Sequence, residues 1–327
     1  MTVDLTTKIQ QAGETAAAAT RVLRNGGLVA FPTETVYGLG ADAANAEAIA
    51  RLYRAKGRPA FNPLIVHVSD VAAAQRIARF NAAALALADA FWPGPLTLVL
   101  PKGANCPVAD LATAGLDTIA LRVPAHLVAR DILRGFGGAV VAPSANRSGH
   151  VSPTTAAHVR HDLEGRIDLI VDGGPVDVGI ESTIVGCFDR PALLRPGGIS
   201  RADIERVLGG PLVSPDPGAT DGRPQAPGML ASHYAPHARV RLNAANLAPG
   251  EALLAFGRAD PPGIGTATTV MNLSERGDLK EAAANLFGCL RALDASGAPT
   301  IAVTPIPEDG LGEAINDRLR RAAAPKG

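Results

Sequence analysis

Short apolar runs alternate with amphipathic stretches through the N-terminal part of this chain. Residues 27–31 predict a buried strand. The stretch 46–56 predicts a helix, because Ile49, Leu52 and Tyr53 recur at the spacing of one helical face. Further patterns predict strands at 64–68, 96–100, 118–123, 139–142 and 169–171, and helices at 71–80, 82–92 and 202–208. This mixture of elements indicates an α/β or α+β layer fold.

The pattern changes at residue 209. Residues 209–236 are rich in proline and glycine and show almost no periodicity, which is typical of a linker or lid. The alternation then resumes and predicts a small βα unit, with strands at 251–256 and 300–303 and helices at 279–294 and 312–323. The sequence therefore predicts a first domain over 1–208, a linker over 209–236 and a small α/β C-terminal domain over 237–327.

The composition is that of an ordinary globular protein, with 47% hydrophobic and 19% charged residues. The 31 basic residues balance 31 acidic ones, which argues against nonspecific nucleic-acid binding as the main activity. The three cysteines form no CxxC pair, so they predict neither a zinc site nor a disulfide framework. The first residues lack the apolar core of a signal peptide, and no stretch reaches the roughly 18 apolar residues of a membrane span. We therefore expect a soluble, cytoplasmic protein.

The familiar nucleotide and hydrolase signatures are missing from the sequence. It contains no GxxxxGK[ST] phosphate loop, no GxGxxG after a strand, no HExxH and no GxSxG. A nucleotide site in this chain must therefore use another scaffold. The candidate chemistry lies in four polar segments near strand ends, where the ligands of α/β proteins collect.

The first two segments each allow a functional and a structural interpretation. Segment 32–40 follows a strand and combines hydroxyls with two glycines, which suits either a small polar ligand or a glycine-rich turn. Segment 56–63 contains Lys56 and Arg58, and two more arginines precede it. Such cations suit a triphosphate clamp. Taken alone, they fit a solvated helix end better, where the helix dipole stabilises cations by about 0.3–1 kcal/mol.

The other two segments are short polar turns. Segment 143–149 follows an apolar strand and offers hydroxyl and amide groups that suit phosphate oxygens. Ser152 and Pro153 come next and predict a helix start, whose N-terminal amides also favour anions. The fourth segment is 181–184, followed by Arg195. Small polar turns are common, so each of these segments is only suggestive by itself.

Two polar residues lie inside apolar strands. A buried cation at Arg122 costs several kcal/mol unless it is paired. A ligand carboxylate would satisfy it with bonds worth about 1.5–3 kcal/mol, and an internal Asp or Glu would serve equally well. His67 poses the same question, and a strand histidine is more often structural than a ligand.

Taken in order, these segments resemble one family. Residues 32–40, 56–64, 118–124, 143–154 and 181–185 are similar to the successive motifs of YrdC-like threonylcarbamoyl-AMP synthases. Residues 227–236 resemble the linker signature of the two-domain members, which carry a Rossmann-like C-terminal domain. The resemblance implies an α/β fold with a twisted, mostly parallel sheet and a concave, positively charged cavity.

The resemblance also implies a reaction. The expected enzyme is a nucleotidyltransferase that makes L-threonylcarbamoyl-adenylate from L-threonine, bicarbonate and ATP, with release of pyrophosphate and water. This is the first step of tRNA threonylcarbamoyladenosine modification, and the product passes to a tRNA threonylcarbamoyl-transferase complex. A weak tRNA contact is a further expectation, and a membrane contact is not. Mg²⁺ is expected to arrive with ATP, because no His, Cys and Asp cluster suited to a metal stands out in the sequence.

Site residues follow by matching these motifs. Lys56, Arg58, Ser144 and Asn146 match the family's phosphate-holding tetrad and are the expected catalytic residues. The expected ATP contacts are Arg58, Asn62, Thr118, Ser144, Ser152, Arg195 and Tyr234. The expected threonine contacts are Thr35, His67, Arg122, Ala142 and Ser182. No protein side chain is expected to bind a metal.

The chain departs from the family pattern at two places, and its sequence is compatible with two other functions. Residues 230–232 are uncharged where some members have basic residues, and Gly186 stands where an acid is frequent. One alternative is a carbamoyl-adenylate-forming enzyme of the hydrogenase-maturation type, whose zinc-finger cysteines this chain lacks. The other is a tRNA- or double-stranded-RNA-binding module, which the zero net charge and the 4% of aromatic residues disfavour.

Overall fold

The computed structural model describes residues 6–13, 15–213 and 234–325, which form two sheets covered by helices. The helices and strands in chain order are β1 (Lys8–Gln11), α1 (Thr15–Arg24), β2 (Val29–Pro32), β3 (Tyr37–Asp42), α2 (Ala46–Lys56), β4 (Ile65–His67), α3 (Val71–Gln75), α4 (Ala82–Phe91), β5 (Leu96–Pro101), β6 (Thr118–Arg122), α5 (Leu127–Phe136), β7 (Val140–Val141), α6 (Ala156–Leu163), β8 (Leu169–Asp172), β9 (Thr183–Gly186), β10 (Ala192–Arg195), α7 (Arg201–Leu208), β11 (Arg239–Arg241), β12 (Ala252–Ala255), β13 (Val270–Asn272), α8 (Leu279–Ala295), β14 (Thr300–Val303) and α9 (Gly312–Ala323). Short 3-10 helices occupy Asp110–Thr113 and Ile264–Thr266.

The N-terminal sheet has ten strands in the order β1-β8-β2-β3-β7-β4-β6-β5-β9-β10. The predicted α/β class is confirmed. The sheet is mixed: β4 runs parallel to β6 and β5 parallel to β9, whereas β3 and β7 run antiparallel to their neighbours. The C-terminal sheet, ordered β11-β14-β12-β13, is parallel throughout, as expected for a Rossmann-like unit.

Part of the predicted 32–40 loop is a strand. Only residues 33–36 form a turn, and β3 returns antiparallel to β2. Glycine obscures this strand in the sequence, yet the packing requires it. A Cβ on Gly40 would approach the Phe31 ring to 2.7 Å, and one on Gly38 would approach the Ala142 methyl to 3.1 Å. Glycine inside a strand often marks such a close approach.

The helix predicted from Ser152 begins later. Its first residue is Ala156, and its N-cap is Thr155, whose hydroxyl accepts a hydrogen bond from the His158 amide at 3.3 Å. The prediction at Ser152 was wrong, because its side chain is engaged elsewhere, with Glu181.

Helix α2 orients the basic segment. Asn45 caps its N-terminus by accepting hydrogen bonds from two backbone amides, both at 3.0 Å. Gly57 ends it in the left-handed conformation, with φ at 62°, and donates to carbonyls of the last turn. This conformation favours glycine, which is common just after a helix. The cap thus separates Lys56, inside the helix, from Arg58, which turns into the following loop.

The C-terminal unit packs directly on the first one. One apolar cluster combines Val36, Val151 and Ile180 of the large unit with Leu286 and Phe287 of α8. Burial of such side chains stabilises an interface by roughly 1.5–3 kcal/mol each. Of the predicted linker, residues 214–233 lie outside the described residues, so the lid and the exact domain boundaries stay predictions.

Gly179 allows a close contact between the two units and supplies a test. A Cβ there would lie 2.4 Å from the Ala284 Cα on α8, and φ is +76°. Gly137 has the same φ with open space around it. Alanine at either position pays roughly 1–2 kcal/mol of backbone strain, and Gly179→Ala adds an overpacking cost of about 1–3 kcal/mol.

We therefore expect Gly179→Ala to lower the free energy of unfolding by at least about 1 kcal/mol more than Gly137→Ala. Denaturant unfolding of both variants measures the difference. Equal losses would show that the contact between Gly179 and α8 is not tight.

Candidate active site

A cavity beside the contact of the two units collects most of the predicted site residues. It is lined by Thr35, Val36, Arg58, Ile65, His67, Arg122, Ala142, Pro143, Ser144, Glu181, Ser182, Arg195 and Tyr234. These residues come from separate segments of the large unit and from the end of the predicted linker. Arg58, Arg122 and Arg195 give the lining more positive than negative charge, since Glu181 is the only acid among the lining residues that the structure describes.

Strand register places three lining residues together. In the parallel pair β4 and β6, His67 lies beside Arg122 and Ile65 beside Ala120. Side chains two residues apart share one face of a sheet, so Ile65 and His67 point the same way. The cavity therefore uses the face of the sheet as well as the strand ends.

Arg122 is buried and has an internal partner. Its Nη2 lies 2.6 Å from Oε1 of Glu34, its Nη1 donates to Thr35 Oγ1 at 2.9 Å, and its Nε donates to the Gly94 carbonyl. Burial alone would raise the pKa of Glu34, but the charge and hydrogen bond of Arg122 outweigh it and lower that pKa. The internal acid considered from the sequence exists. Arg122 still lines the cavity with part of its five-donor guanidinium.

His67 is a buried, neutral imidazole. Burial and then the neighbouring Arg122 charge lower its pKa to about 3. Within the described residues its Nδ1 has no hydrogen-bond partner. Buried polar atoms are normally satisfied, so this nitrogen has unused hydrogen-bonding capacity in a residue that lines the cavity.

Hydroxyl and carbonyl groups fix the part of the cavity lining formed by Ser182 and Arg195. Ser182 Oγ lies 2.7 Å from the Thr97 hydroxyl, and Arg195 Nη2 donates to the Ser182 carbonyl at 2.8 Å. Burial lowers the pKa of Arg195, which is 4% exposed. An anionic ligand would offset that desolvation.

Of the four residues in the predicted phosphate-holding tetrad, two line the cavity and two do not. Arg58 and Ser144 line the cavity. Lys56 lies behind them, and its Nζ donates to the backbone carbonyls of Ser144 and Asn146 at 2.6 and 2.5 Å. Burial and then the Arg58 charge lower the pKa of Lys56 well below its usual range. In this structure Lys56 therefore braces the 143–149 segment.

Arg58 is the cation most available to a phosphate. It donates only to loop carbonyls, Nη2 to Pro63 at 3.0 Å and Nε to Asn62 at 3.4 Å, and it forms no ion pair within the described ranges. Burial lowers its pKa to about 10, so it stays charged at neutral pH. A charged guanidinium without an acidic partner suits a phosphate oxygen.

Three predicted ATP residues lie outside the lining. Thr118 begins β6 at the end opposite Arg122, roughly 13 Å along the strand at about 3.3 Å per residue. Asn62 is buried in the loop after α2, and its Oδ1 has no partner among the described residues. Ser152 is buried and bonded to Glu181. Their ATP roles stay predictions.

Sequence reasoning missed three charged residues at this site. Glu34 and Glu181 lie in segments that were noted, but their partners are 88 and 137 residues away. Arg318 belongs to α9 of the C-terminal unit, is 0% exposed and bonds to Glu181. A long helical face that carries arginine among apolar residues gives no signal for a partner in another domain.

Metal-binding side-chain clusters were sought among the described residues. No group of three or more His, Cys, Asp or Glu side chains among them is arranged to hold a metal. Glu181 in the lining and Glu34 behind Arg122 are each paired with an arginine. Separately, no helix in the described part of the chain is long and apolar enough to cross a membrane.

The depressed pKa of His67 predicts a pH effect on stability. Between pH 6.5 and about 3 the unfolded chain binds a proton at this histidine that the folded chain excludes, so stability falls as the pH drops through this range. The wild-type free energy of unfolding should fall between pH 7.5 and pH 5, and His67 should account for about 2 kcal/mol of that fall. In His67→Asn the fall should be smaller by this amount. Denaturant unfolding at the two pH values measures this.

The control is His161→Asn on the exposed side of α6, which should leave the loss unchanged. An equal loss of stability in wild type and His67→Asn would mean that His67 binds its proton in the folded protein as readily as in the unfolded chain.

Comparison with known proteins covers the whole chain. A family model named for Sua5, YciO and YrdC and described as "Telomere recombination" matches residues 21–197, and a model of the "Threonylcarbamoyl-AMP synthase, C-terminal domain" matches residues 199–324. The "Threonylcarbamoyl-AMP synthase" of Bacillus subtilis is 40% identical over 98% of this chain and 96% of its own length. The protein of the same name from Pyrococcus abyssi is 42% identical, with 92% of each chain covered.

A solved structure is similar over the same extent. The crystal structure of P. abyssi Sua5 complexed with L-threonine superimposes with a TM-score of 0.86 at 38% identity, covering 98% of this chain and 97% of the other. The sequence resemblance is thereby confirmed for both units. The chain belongs to the threonylcarbamoyl-AMP synthase family, in its two-domain form.

Proposed function

We propose that this protein makes L-threonylcarbamoyl-adenylate from L-threonine, bicarbonate and ATP, releasing pyrophosphate and water. Family membership over the full chain supports the activity. The observation that carries it is that one cavity is lined both by the predicted threonine residues and by three of the predicted phosphate residues, Arg58, Ser144 and Arg195. Two substrates that react with each other must lie side by side, and this cavity offers both sets of groups.

The threonine half is built on Arg122. Its guanidinium uses three N–H groups internally, and a fork of this kind binds carboxylates in a defined orientation. Thr35, His67 and Ser182 surround it with hydroxyl and imidazole groups suited to the amine and hydroxyl of threonine. A relative's structure contains L-threonine, which supports this assignment.

The phosphate half is built on Arg58, Ser144 and Arg195. All three line the cavity, and Lys56 stabilises the segment that carries Ser144. Mg²⁺ belongs to the nucleotide substrate, where it neutralises phosphate charge. Tyr234, from the end of the linker, closes one side of the same cavity.

The chemistry requires no protein nucleophile. The amine of threonine attacks the carbon of bicarbonate-derived CO₂ and loses a proton, giving a carbamate. A carbamate oxygen then attacks the α-phosphorus of ATP, and the bond to pyrophosphate breaks. Arg58 and Arg195 would neutralise charge that develops on the phosphates, and rigid placement of both substrates lowers the entropic barrier.

The product has a reactive mixed anhydride, so a second protein must consume it. We place this activity at the first step of tRNA threonylcarbamoyladenosine formation, in the cytoplasm, with transfer by a separate tRNA threonylcarbamoyl-transferase complex. The hydrogenase-maturation and RNA-binding alternatives differ from this proposal in substrate and in turnover, so the same assay separates them.

Purified protein incubated with labelled bicarbonate, ATP, Mg²⁺ and L-threonine should form a labelled threonylcarbamoyl-adenylate and one equivalent of pyrophosphate. Other amino acids and carbamoyl phosphate serve as controls. Turnover that starts from carbamoyl phosphate would favour the hydrogenase-maturation type. Salt-dependent filter binding of tRNA without any ATP turnover would favour an RNA-binding module.

Arg122→Lys tests the threonine half, because lysine keeps a charge for Glu34 but lacks the guanidinium fork. We expect the KM for threonine to rise about 10- to 100-fold, the equivalent of roughly 1.5–3 kcal/mol. The KM for ATP should stay within about threefold.

Arg51→Lys is the matched control, since Arg51 pairs with Asp168 away from the cavity. Arg58→Lys is the reciprocal variant and should raise the KM for ATP instead of that for threonine. Equal increases in the KM values for threonine and ATP in Arg122→Lys would show that Arg122 does not belong to the threonine site.

A further inference from the structure

A fully buried ion pair joins the C-terminal unit to the cavity. Arg318, on α9, is 0% exposed, and its Nε donates to Oε2 of Glu181 at 2.8 Å. Glu181 lines the cavity in the large unit. Charges buried this deeply are strongly destabilising when one partner is removed, so the two side chains depend on each other.

The pair continues to a predicted ATP residue. The other carboxylate oxygen of Glu181, Oε1, accepts a hydrogen bond from the Ser152 hydroxyl at 2.5 Å. Both oxygens of Glu181 are therefore engaged, one by each domain. The chain of contacts from Arg318 through Glu181 to Ser152 orients a hydroxyl that lies just beyond the 143–149 segment.

The guanidinium of Arg318 also contacts Tyr234, an aromatic residue of the cavity lining. Its central carbon lies 5.3 Å from the ring centroid of Tyr234, within range of a cation–π contact. Phe287 on α8 also contacts Tyr234, with the two rings stacked and their centroids 5.5 Å apart. Arg318 is itself oriented by Asp317, which accepts from its Nη1 at 2.6 Å.

Glu181 has a second cation nearby. The charge of Arg195 acts on Glu181 as well as that of Arg318. Glu181 and Arg195, which is an expected phosphate contact, both line the cavity. Without Arg318, Glu181 would leave an uncompensated negative charge beside that contact, where it would repel phosphates.

We propose that Arg318 is a positioning residue for the nucleotide half of the active site, holding Glu181, Ser152 and Tyr234 in place from the C-terminal domain. This inference rests on the proposed function, since it assigns the phosphates to that half. The C-terminal domain is then part of the active site rather than an appended unit.

The test is steady-state kinetics on full-length Arg318→Met, with KM measured separately for ATP and for threonine. The KM for ATP should rise about tenfold or more, and the KM for threonine should change less than about threefold. Arg318→Lys should recover part of the loss. Arg318→Met combined with Glu181→Gln should bind ATP better than Arg318→Met alone, because the stray carboxylate charge is gone.

Arg201→Met is the matched control. Arg201 forms another ion pair to α9, with Glu313 at 2.6 Å, but lies away from the cavity. It should leave both KM values unchanged. The same effect from Arg201→Met, equal changes for both substrates in Arg318→Met, or no change in a folded Arg318→Met would each overturn the proposal.

Two further measurements keep the result decisive. If Arg318→Met alone does not fold, the double variant removes both buried charges, and its ATP affinity against that of Glu181→Gln tests the same point. Titration calorimetry with MgATP reads nucleotide binding without turnover. Inactive wild-type protein would refute the proposed function, while a normal ATP affinity in Arg318→Met would refute the positioning role independently.

Discussion

The cost of burying cations around one cavity is the constraint on which the rest of this structure depends. Arg122, Arg195 and Arg318 are all nearly inaccessible to water, and each needs partners to remain charged there. Arg122 and Arg318 are paired with Glu34 and Glu181, whereas Arg195 donates to backbone and hydroxyl oxygens of Ser182. The paired cations are fixed in place. Arg58, which donates only to loop carbonyls, and Arg195 both line the cavity and suit an anionic substrate.

This division explains how one cavity can serve two ligands. The pair of Arg122 and Glu34 holds a guanidinium fork at one side, next to a neutral His67. A neutral imidazole avoids a second positive charge beside Arg122 and keeps both hydrogen-bonding roles. Lys56 contributes indirectly, because its bonds to two carbonyls shape the segment that presents Ser144.

The C-terminal unit takes part in the same charge arrangement. Its parallel sheet lies away from the cavity, yet α8 and α9 supply Phe287 and Arg318 against Tyr234 and Glu181. An apolar interface holds the units together, and a buried ion pair within it sets a specific orientation. A domain with no lining residue of its own in the described cavity therefore influences the cavity through these contacts.

The sequence by itself determined the α/β class, most strands and helices, the change of pattern at residue 209 and the family, because these depend on local periodicity and on ordered motifs. It did not reveal β3, whose glycines hide a strand. It also did not reveal that α6 begins at Ala156 after the N-cap Thr155, because the hydroxyl of Ser152 bonds to a distant glutamate. Only the tertiary structure decided that Arg122 pairs with Glu34, that Lys56 donates to carbonyls of a loop and that Arg318 pairs with Glu181. Each of these pairs joins residues far apart in sequence, and the choice of partner for a buried charge depends on which side chains the fold brings within a few ångströms.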